Sequence, residues 1–307
     1  MSSIMTNSAA MTALKSLQAT NAALEITQSR ISTGLKVGQA ADNAAYWSIA
    51  TTMRSDNKAL STVQDALGLG TAKVDVAYTG MNSAIDVVDE IKAKLVAARE
   101  PGVDKAKIQS EIGELQNQLS AIATSASFSG ENWLSHDSSA TGYSATKDIV
   151  ASFNRAADGT VSVGTVSVDT SAAKLFDANA AASGILDLDF TTTGAGAVTV
   201  SVSTLNITAA NIDTTDLDEM ISEVDSALSS MTTAASDLGA SKGRIDLQAD
   251  FVSNLMDAID RGIGTLVDAD MTKESTRLSA LQTQQQLGTQ ALAIANGSAQ
   301  SILSLFR

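Results

Sequence analysis

His136 is the only histidine in 307 residues, and it stands between Ser135 and Asp137 in a polar stretch. A nucleophilic Ser-His-Asp set needs a base held by an orienting acid. Nothing around His136 supplies that support, so it reads as a surface histidine. With one histidine and no cysteine, a zinc site would rest almost wholly on carboxylates. Disulfides and thiolate chemistry are excluded outright. The acidic group Asp213, Asp216, Asp218 and Glu219 lacks the glycine and spacing of a calcium loop, and reads as charge at a helix start. Ser144-Ala-Thr-Lys147 and Ser55-Asp-Asn57 match pieces of the β-lactamase pattern. They come in reversed order with no Lys-Thr-Gly, which makes the match chance. No GxxxxGK[ST] or GxGxxG loop cradles a phosphate. Asn206-Ile-Thr208 and Asn296-Gly-Ser298 are formal glycosylation sequons only. These residues predict no catalytic, metal or cofactor site.

Periodicity is the stronger signal. From Leu14 a 3-4 spacing runs through Leu17, Asn21, Leu24, Gln28, Ile31 and Leu35, and extends upstream through Ala10 and Asn7. That spacing makes residues 3–35 half of a coiled coil. The far end answers with Leu278, Leu281, Gln285, Gly288, Leu292, Ala295, Ala299, Ile302 and Phe306. A second stripe, Leu287, Ala291, Ile294 and Leu305, makes this helix apolar on more than one side. Chain ends are ordinarily polar and frayed. Apolar helical faces at both ends point to joining subunits rather than to closing one domain.

Between the ends lie more long helices. From Ile49 the helical spacing continues through Leu60, Leu67, Met81, Ile91 and Leu95 to Ala98. A helix over residues 43–99 would span about 85 Å at 1.5 Å per residue, starting behind Asp42-Asn43 as N-cap and weakest at Gly68 and Gly70. Pro101-Gly102 turns the chain into a third helix with Ile108, Ile112, Leu115, Leu119 and Ile122 on one face. Residues 129–212 change to Ser, Thr, Gly and Ala with period-2 runs at 161–163, 166–168 and 198–202 and turns at Asp158-Gly159 and Gly194-Ala-Gly196, which predict short strands. Helix resumes after Asp213, with Asp216 and Glu219 as a capping box. It then meets Gly262 and Gly264, and Asp268-Ala-Asp270 leads into the last helix. The expected fold is mainly α: a long antiparallel helical hairpin, or coiled-coil bundle, with a small β-rich insertion.

Composition supports this. A single proline suits long helices. The net charge of −14 is unevenly placed: residues 1–36 and 271–307 each carry +2, leaving −18 between them. An acidic exterior argues against nucleic acid as a partner. No apolar run reaches the roughly 18 residues that span a bilayer, and no cleaved secretory signal is visible.

The chain resembles the bacterial flagellins. The N-terminal likeness lies in Thr33-Gly-Leu-Lys-Val37, Ala41-Asp-Asn-Ala-Ala45 and Ile49-Ala50. The C-terminal one lies in Asp268-Ala-Asp270, Glu274, Gly288-Thr289, Leu292-Ala293, Ala295-Asn296 and Leu303-Ser-Leu-Phe-Arg307. With flanking helices the likeness covers about residues 1–130 and 213–307. Residues 131–212 match nothing, as befits the family's variable outer region. Tyr46-Trp47, where most flagellins have Gly-Leu, is similar to the alphaproteobacterial, rhizobial-like subgroup.

The resemblance implies a non-enzymatic subunit of the flagellar filament, with no cofactor. It implies residues 1–40 and 271–307 as the two halves of an inner D0 domain. Residues 41–130 and 213–270 form D1, and 131–212 a surface insertion. The expected filament-core residues are Leu14, Leu17, Leu24, Ile31, Leu35, Leu278, Leu281, Leu292, Ile294, Ile302, Leu305 and Phe306. The implied partners are further copies of the chain, other flagellins among them, a filament cap, hook-associated junction proteins and an export chaperone. Export runs through a type III channel to an extracellular filament. Asp89, Glu90, Ile91, Lys92, Ala93 and Lys94 stand where enterobacterial flagellins carry their contact for a Toll-like immune receptor, with Glu90 reversing a charge, so weak or absent receptor activation is expected. The runner-up is a hook–filament junction protein of the same family. An enzyme carried in the insertion is the distant alternative, and adhesion or signalling by the outer loops a secondary one.

Overall fold

The computed structural model describes residues 7–179 and 183–305, with side chains to residue 297. Five helices dominate: α1 (Ser8–Thr33), α2 (Ala44–Ala98), α3 (Lys105–Ser125), α4 (Thr214–Val267) and α5 (Met271–Leu305). The chain divides into two compact units. A terminal unit holds residues up to Lys58 and from Met256 onward, and a body unit holds Ala59–Leu255.

In the terminal unit, each helix is delimited by its own sequence. Asn7 caps α1 by accepting the amide of Ala10. Gly34 ends it at φ 74°, a left-handed turn that glycine takes without steric cost. Asn43 Oδ1 accepts the Tyr46 amide at the start of α2. Asp270 Oδ1 accepts the amides of Thr272 and Lys273 at the start of α5. The turns between helices are tied together. Lys36 donates its amide to Val267 O at 2.7 Å, and Ala269 its amide to Gly34 O at 2.8 Å. Around that tie, Val37, Ala50, Ile263 and Val267 form a buried cluster, with Leu35, Trp47, Met53 and Ile259 packed on it.

In the body unit, α2, α3 and α4 bury whole stripes. Leu67, Met81, Ile91 and Leu95 of α2, Ile112 and Leu119 of α3, and Leu217, Met231, Leu238 and Ile245 of α4 are buried almost completely. Each contributes roughly 1.5–3 kcal/mol by leaving water, which carries α2 unbroken past Gly68 and Gly70, its weakest point by sequence. Gly70 is itself a packing residue. A Cβ there would stand 2.5 Å from Ile149 Cγ2. Gly262 and Gly264 likewise lie inside α4, which continues to Val267.

Between α3 and α4 the chain forms short paired strands rather than one sheet. β1 (Ser127–Phe128) pairs with β2 (Glu131–Asn132), and β3 (Ser135–His136) lies parallel to β6 (Phe176–Asp177). β4 (Thr146–Arg155) and β5 (Val161–Asp169) make the one long hairpin, turned by Gly159 at φ 88°. β7 (Phe190–Thr191) pairs with β8 (Thr199–Val200). The runs expected as two strands at 161–163 and 166–168 are therefore one, because β4 pairs along their whole length. The run 198–202 shrinks to a two-residue strand.

Candidate assembly interface

The two chain ends meet as α1 against α5. Their cross-links fix an antiparallel order: Asn7 Nδ2 donates to Ala295 O at 2.8 Å, Gln285 Nε2 to Asn21 Oδ1 at 2.8 Å, and Arg30 Nη1 pairs with Glu274 Oε1 at 3.4 Å. Leu17 sits opposite Gly288, where a Cβ would come within 3.1 Å of its Cδ1. Such polar rungs fix register in helix pairs.

On α5 the covered positions are Glu274, Leu278, Leu281, Gln285, Gly288, Leu292 and Ala295, the spacing expected from sequence. On α1 they are Ala10, Ala13, Leu17, Thr20, Ala23, Leu24, Thr27, Arg30 and Ile31. Leu17, Leu24 and Ile31 fall in the seam as expected. Leu14 does not: it is 45% exposed. The seam is turned toward Ala13, Thr20 and Thr27, small or β-branched side chains that let the helix axes approach. Leu35 is half-buried beside the cluster of Val37 and Val267. Ile294 is 73% exposed, with Leu287, Met11 and Ile26 also open to solvent. A shallow groove of about 540 Å³ runs between the helices, lined by Ser8, Ala9, Thr12, Ala13, Ser16, Ala291 and Ala295. The side chains of Ile302 and Leu305, and all of Phe306, lie outside the described residues.

Within the ion pair, Glu274 is buried and its Oε2 has no hydrogen-bond partner. The pair thus leaves both a wide apolar face and a carboxylate oxygen unsatisfied.

The segment Asp89–Lys94 lies on α2. Ile91 is fully buried, while Asp89, Glu90 and Ala93 face solvent. Lys92 is ion-paired with Asp225, and Lys94 with Glu111 at 2.8 Å and Glu90 at 3.4 Å.

The chemically suggestive residues take structural roles. His136 is half-buried rather than on the surface, stacked on Tyr143 with Nε2 2.8 Å from the phenol oxygen. Burial, and then the neighbouring Lys174 ammonium, push its pKa down. Nearby lies a polar knot that the sequence reading missed. Lys174 Nζ donates to Asp177 at 2.5 Å and to Ser183 Oγ at 2.7 Å. Ser138 binds the same carboxylate through its amide and hydroxyl. Burial works to raise the Asp177 pKa, but Lys174 and these donors outweigh it and hold the carboxyl well below its usual range.

The acidic group is a clamp. Asp213 caps α4, accepting the amides of Thr215 and Asp216. Asp216 returns the bond to the Asp213 amide, so the capping box is Asp213–Asp216 rather than Asp216–Glu219. Asp216 also takes the Gly196 amide, Asp213 that of Ala195, and Glu219 that of Thr193. A hydrogen bond from the Thr192 side chain, with these amides, holds the Asp216 pKa at about 2. Among the described residues, no three metal-ligating side chains cluster. Among the described residues, no helix is long and apolar enough to cross a membrane.

Comparison with known proteins matches the paired ends themselves. The bacterial flagellin N-terminal helical region covers residues 4–139, and the C-terminal helical region covers 221–306. Flagellin C of Rhizobium meliloti (strain 1021) is 56% identical over 323 residues, with the whole of both chains covered. Flagellin A of the same strain is 47% identical over 396 residues, and the flagellin of Brucella melitensis biotype 1 is 47% identical over 310, again with full coverage of both chains. A chain whose two terminal helices pair as these do, and whose sequence follows those relatives from end to end, belongs to the bacterial flagellin family.

Proposed function

We propose that the α1–α5 pair is the polymerising element of this flagellin. The protein is a structural subunit of the extracellular flagellar filament, not an enzyme, and it assembles with copies of itself. The named relatives are flagellins, and nothing favours a hook–filament junction role. The observation that carries the assembly reading is the apolar surface left open on the pair: Leu14, Met11 and Ile26 on α1, Leu287 and Ile294 on α5. Two helices alone cannot cover a helix that is apolar on two sides. Covering each of these side chains in a neighbour would contribute roughly 1.5–3 kcal/mol. Stacking through a contact between unlike surfaces that does not close gives an open helical polymer.

In this reading residues 1–40 and 271–307 form the filament's inner D0 layer, 41–130 and 213–270 the surrounding D1, and 131–212 an outward-facing insertion. The seam residues Leu17, Leu24, Ile31, Leu278, Leu281 and Leu292 build the pair. Leu14 and Ile294 join it to the next copy, with Ile302, Leu305 and Phe306 extending it. A filament cap, junction proteins and an export chaperone are its partners, and type III export without signal cleavage is its route. Engagement of Lys92 and Lys94 in ion pairs, with the exposed Glu90 itself paired to Lys94, supports weak Toll-like receptor activation. Strong signalling by the purified protein in receptor-bearing cells would contradict it.

The test is electron microscopy of the full-length chain beside a truncation lacking residues 1–35 and 272–307. Filaments from the first and monomers from the second are expected. Filaments from both would remove the terminal pair as the polymerising element.

A further inference from the structure

With no cysteine in the chain, the methionine thioethers are its most readily oxidised groups. Exposure divides them sharply. Met81, Met220 and Met231 in the body unit are fully buried, and Met53 and Met256 are partly covered. Met11 on α1 is 60% exposed, and Met271, the first residue of α5, 46%. A buried thioether is reached only when the fold opens, whereas an exposed one meets a dissolved oxidant directly.

Position separates the two exposed residues. Met11 stands one turn before the exposed Leu14, on the open face of α1 and not among Ala10, Ala13 and Leu17, which the pair covers. Its neighbours along that helix, Ser8 one turn before and Lys15 one turn after, are exposed as well. Neither α1 nor α5 contains an aromatic residue, so no ring of the pair packs on the Met11 sulfur. Met271 precedes the covered α5 positions, which begin at Glu274.

We propose that Met11 is an oxidation site that controls whether a free subunit can enter the filament. The proposal rests on the assembly reading above, in which the open face of α1 is covered by a neighbouring copy. A peroxide is the oxidant. Its O–O bond breaks, one oxygen forms the new S–O bond of methionine sulfoxide, and the peroxide is reduced to water or an alcohol. The thioether sulfur supplies the two electrons. The product is a strong hydrogen-bond acceptor placed on an apolar face. Covering it in a neighbour would bury a polar group with no donor, which opposes addition of that subunit. A copy already in place has its Met11 shielded, so the sensitivity belongs to the free subunit and not to the finished polymer. Enzymatic reduction of the sulfoxide returns the thioether and lifts the block.

The test treats full-length chains, as monomers and as preformed filaments, with hydrogen peroxide. Peptide mass spectrometry reads which methionines gain oxygen, and the critical concentration for polymerisation reads the consequence. The unaltered chain and Met11→Leu are each compared with their own untreated form. In monomers Met11 should gain oxygen well before Met81 or Met231, and in filaments it should be spared. The oxidised unaltered chain should need a critical concentration at least about tenfold higher, and methionine sulfoxide reductase should reverse the rise. Oxidised Met11→Leu should show no rise over its untreated form. An equal rise in Met11→Leu would assign the effect to another methionine and overturn the proposal. An unchanged critical concentration with Met11 fully converted would overturn it too. Rapid oxidation of Met11 inside intact filaments would overturn it while leaving filament assembly standing. Untreated chains that formed no filaments would instead remove the assembly reading, and this proposal with it.

Discussion

The terminal pair and the helical body are built from the same spacing but reach different ends. In the body, stripe residues such as Leu67, Met81, Ile91 and Leu95 are buried to 2% exposure or less. In the terminal pair, Leu17, Leu24 and Ile31 at equivalent spacing are only partly covered, and Leu14 and Ile294 remain exposed. The body has a third helix and a hairpin to close its stripes, whereas α1 and α5 have only each other. A heptad pattern therefore shows where apolar surface will lie, and the number of partners in the chain decides whether it is satisfied there or in a polymer.

The largest expected effect separates the two regions outright. Leu24→Asp or Leu292→Asp should abolish filaments and swimming while the body melts as before, by calorimetry and motility assay. Normal swimming would erase the contrast. The second prediction reverses the roles. Leu67→Ala should destabilise the monomer by about 2–5 kcal/mol through a cavity, and Ile294→Ala should leave monomer denaturation unchanged while filaments dissociate at lower temperature. Equal monomer losses in both variants would mean that Ile294 is already covered within one chain.

Smaller effects concern pH. Asp216 has its folded pKa lowered to about 2, below the ordinary aspartate value of about 3.9. The stability it contributes is present above pH ~4 and lost as pH falls from there toward 2. Asp216→Asn should flatten acid denaturation of the body over that window and expose the amides of Asp213 and Gly196 to hydrogen exchange. An unchanged acid transition would deny the clamp its role. The smallest effect belongs to His136, whose folded pKa is lowered. Its neutral form is the one favoured by the fold, so its contribution is present above about 6.5 and lost as pH falls through the folded value. As the only histidine it can be followed by a single imidazole NMR resonance. A midpoint at or above the free-histidine value would contradict its burial beside Lys174.

Much of the architecture was legible because helices repeat. The α5 seam could be read residue by residue, since its apolar and polar rungs keep strict spacing. Only half of the α1 seam could be read: Ala13, Thr20 and Thr27 are covered, yet side chains so small or polar give no signal beside Leu14. The Lys174–Asp177 knot was invisible because a lysine three residues before an aspartate is ordinary on any surface, and its other members, Ser138 and Ser183, lie far apart in the chain. The capping box fell three residues from its expected place because Asp213, Asp216 and Glu219 share one spacing. What distinguished them was the Gly194–Gly196 loop folded onto them, a contact no local pattern announces.

The rungs of the terminal pair imply a form of proofreading. Asn7 against Ala295, Asn21 against Gln285 and Arg30 against Glu274 are three unlike matches. A slip of one heptad would set Asn21 against Leu278 or Leu292 and, in one direction, Arg30 against Leu281. Each mismatch strands a polar group against leucine, so a misregistered pairing dissolves faster than it can be built upon. Two ends separated by nearly the whole chain can then find one phase repeatedly without an editor, and a filament inherits that accuracy from two side-chain pairs and one side-chain bond to the backbone.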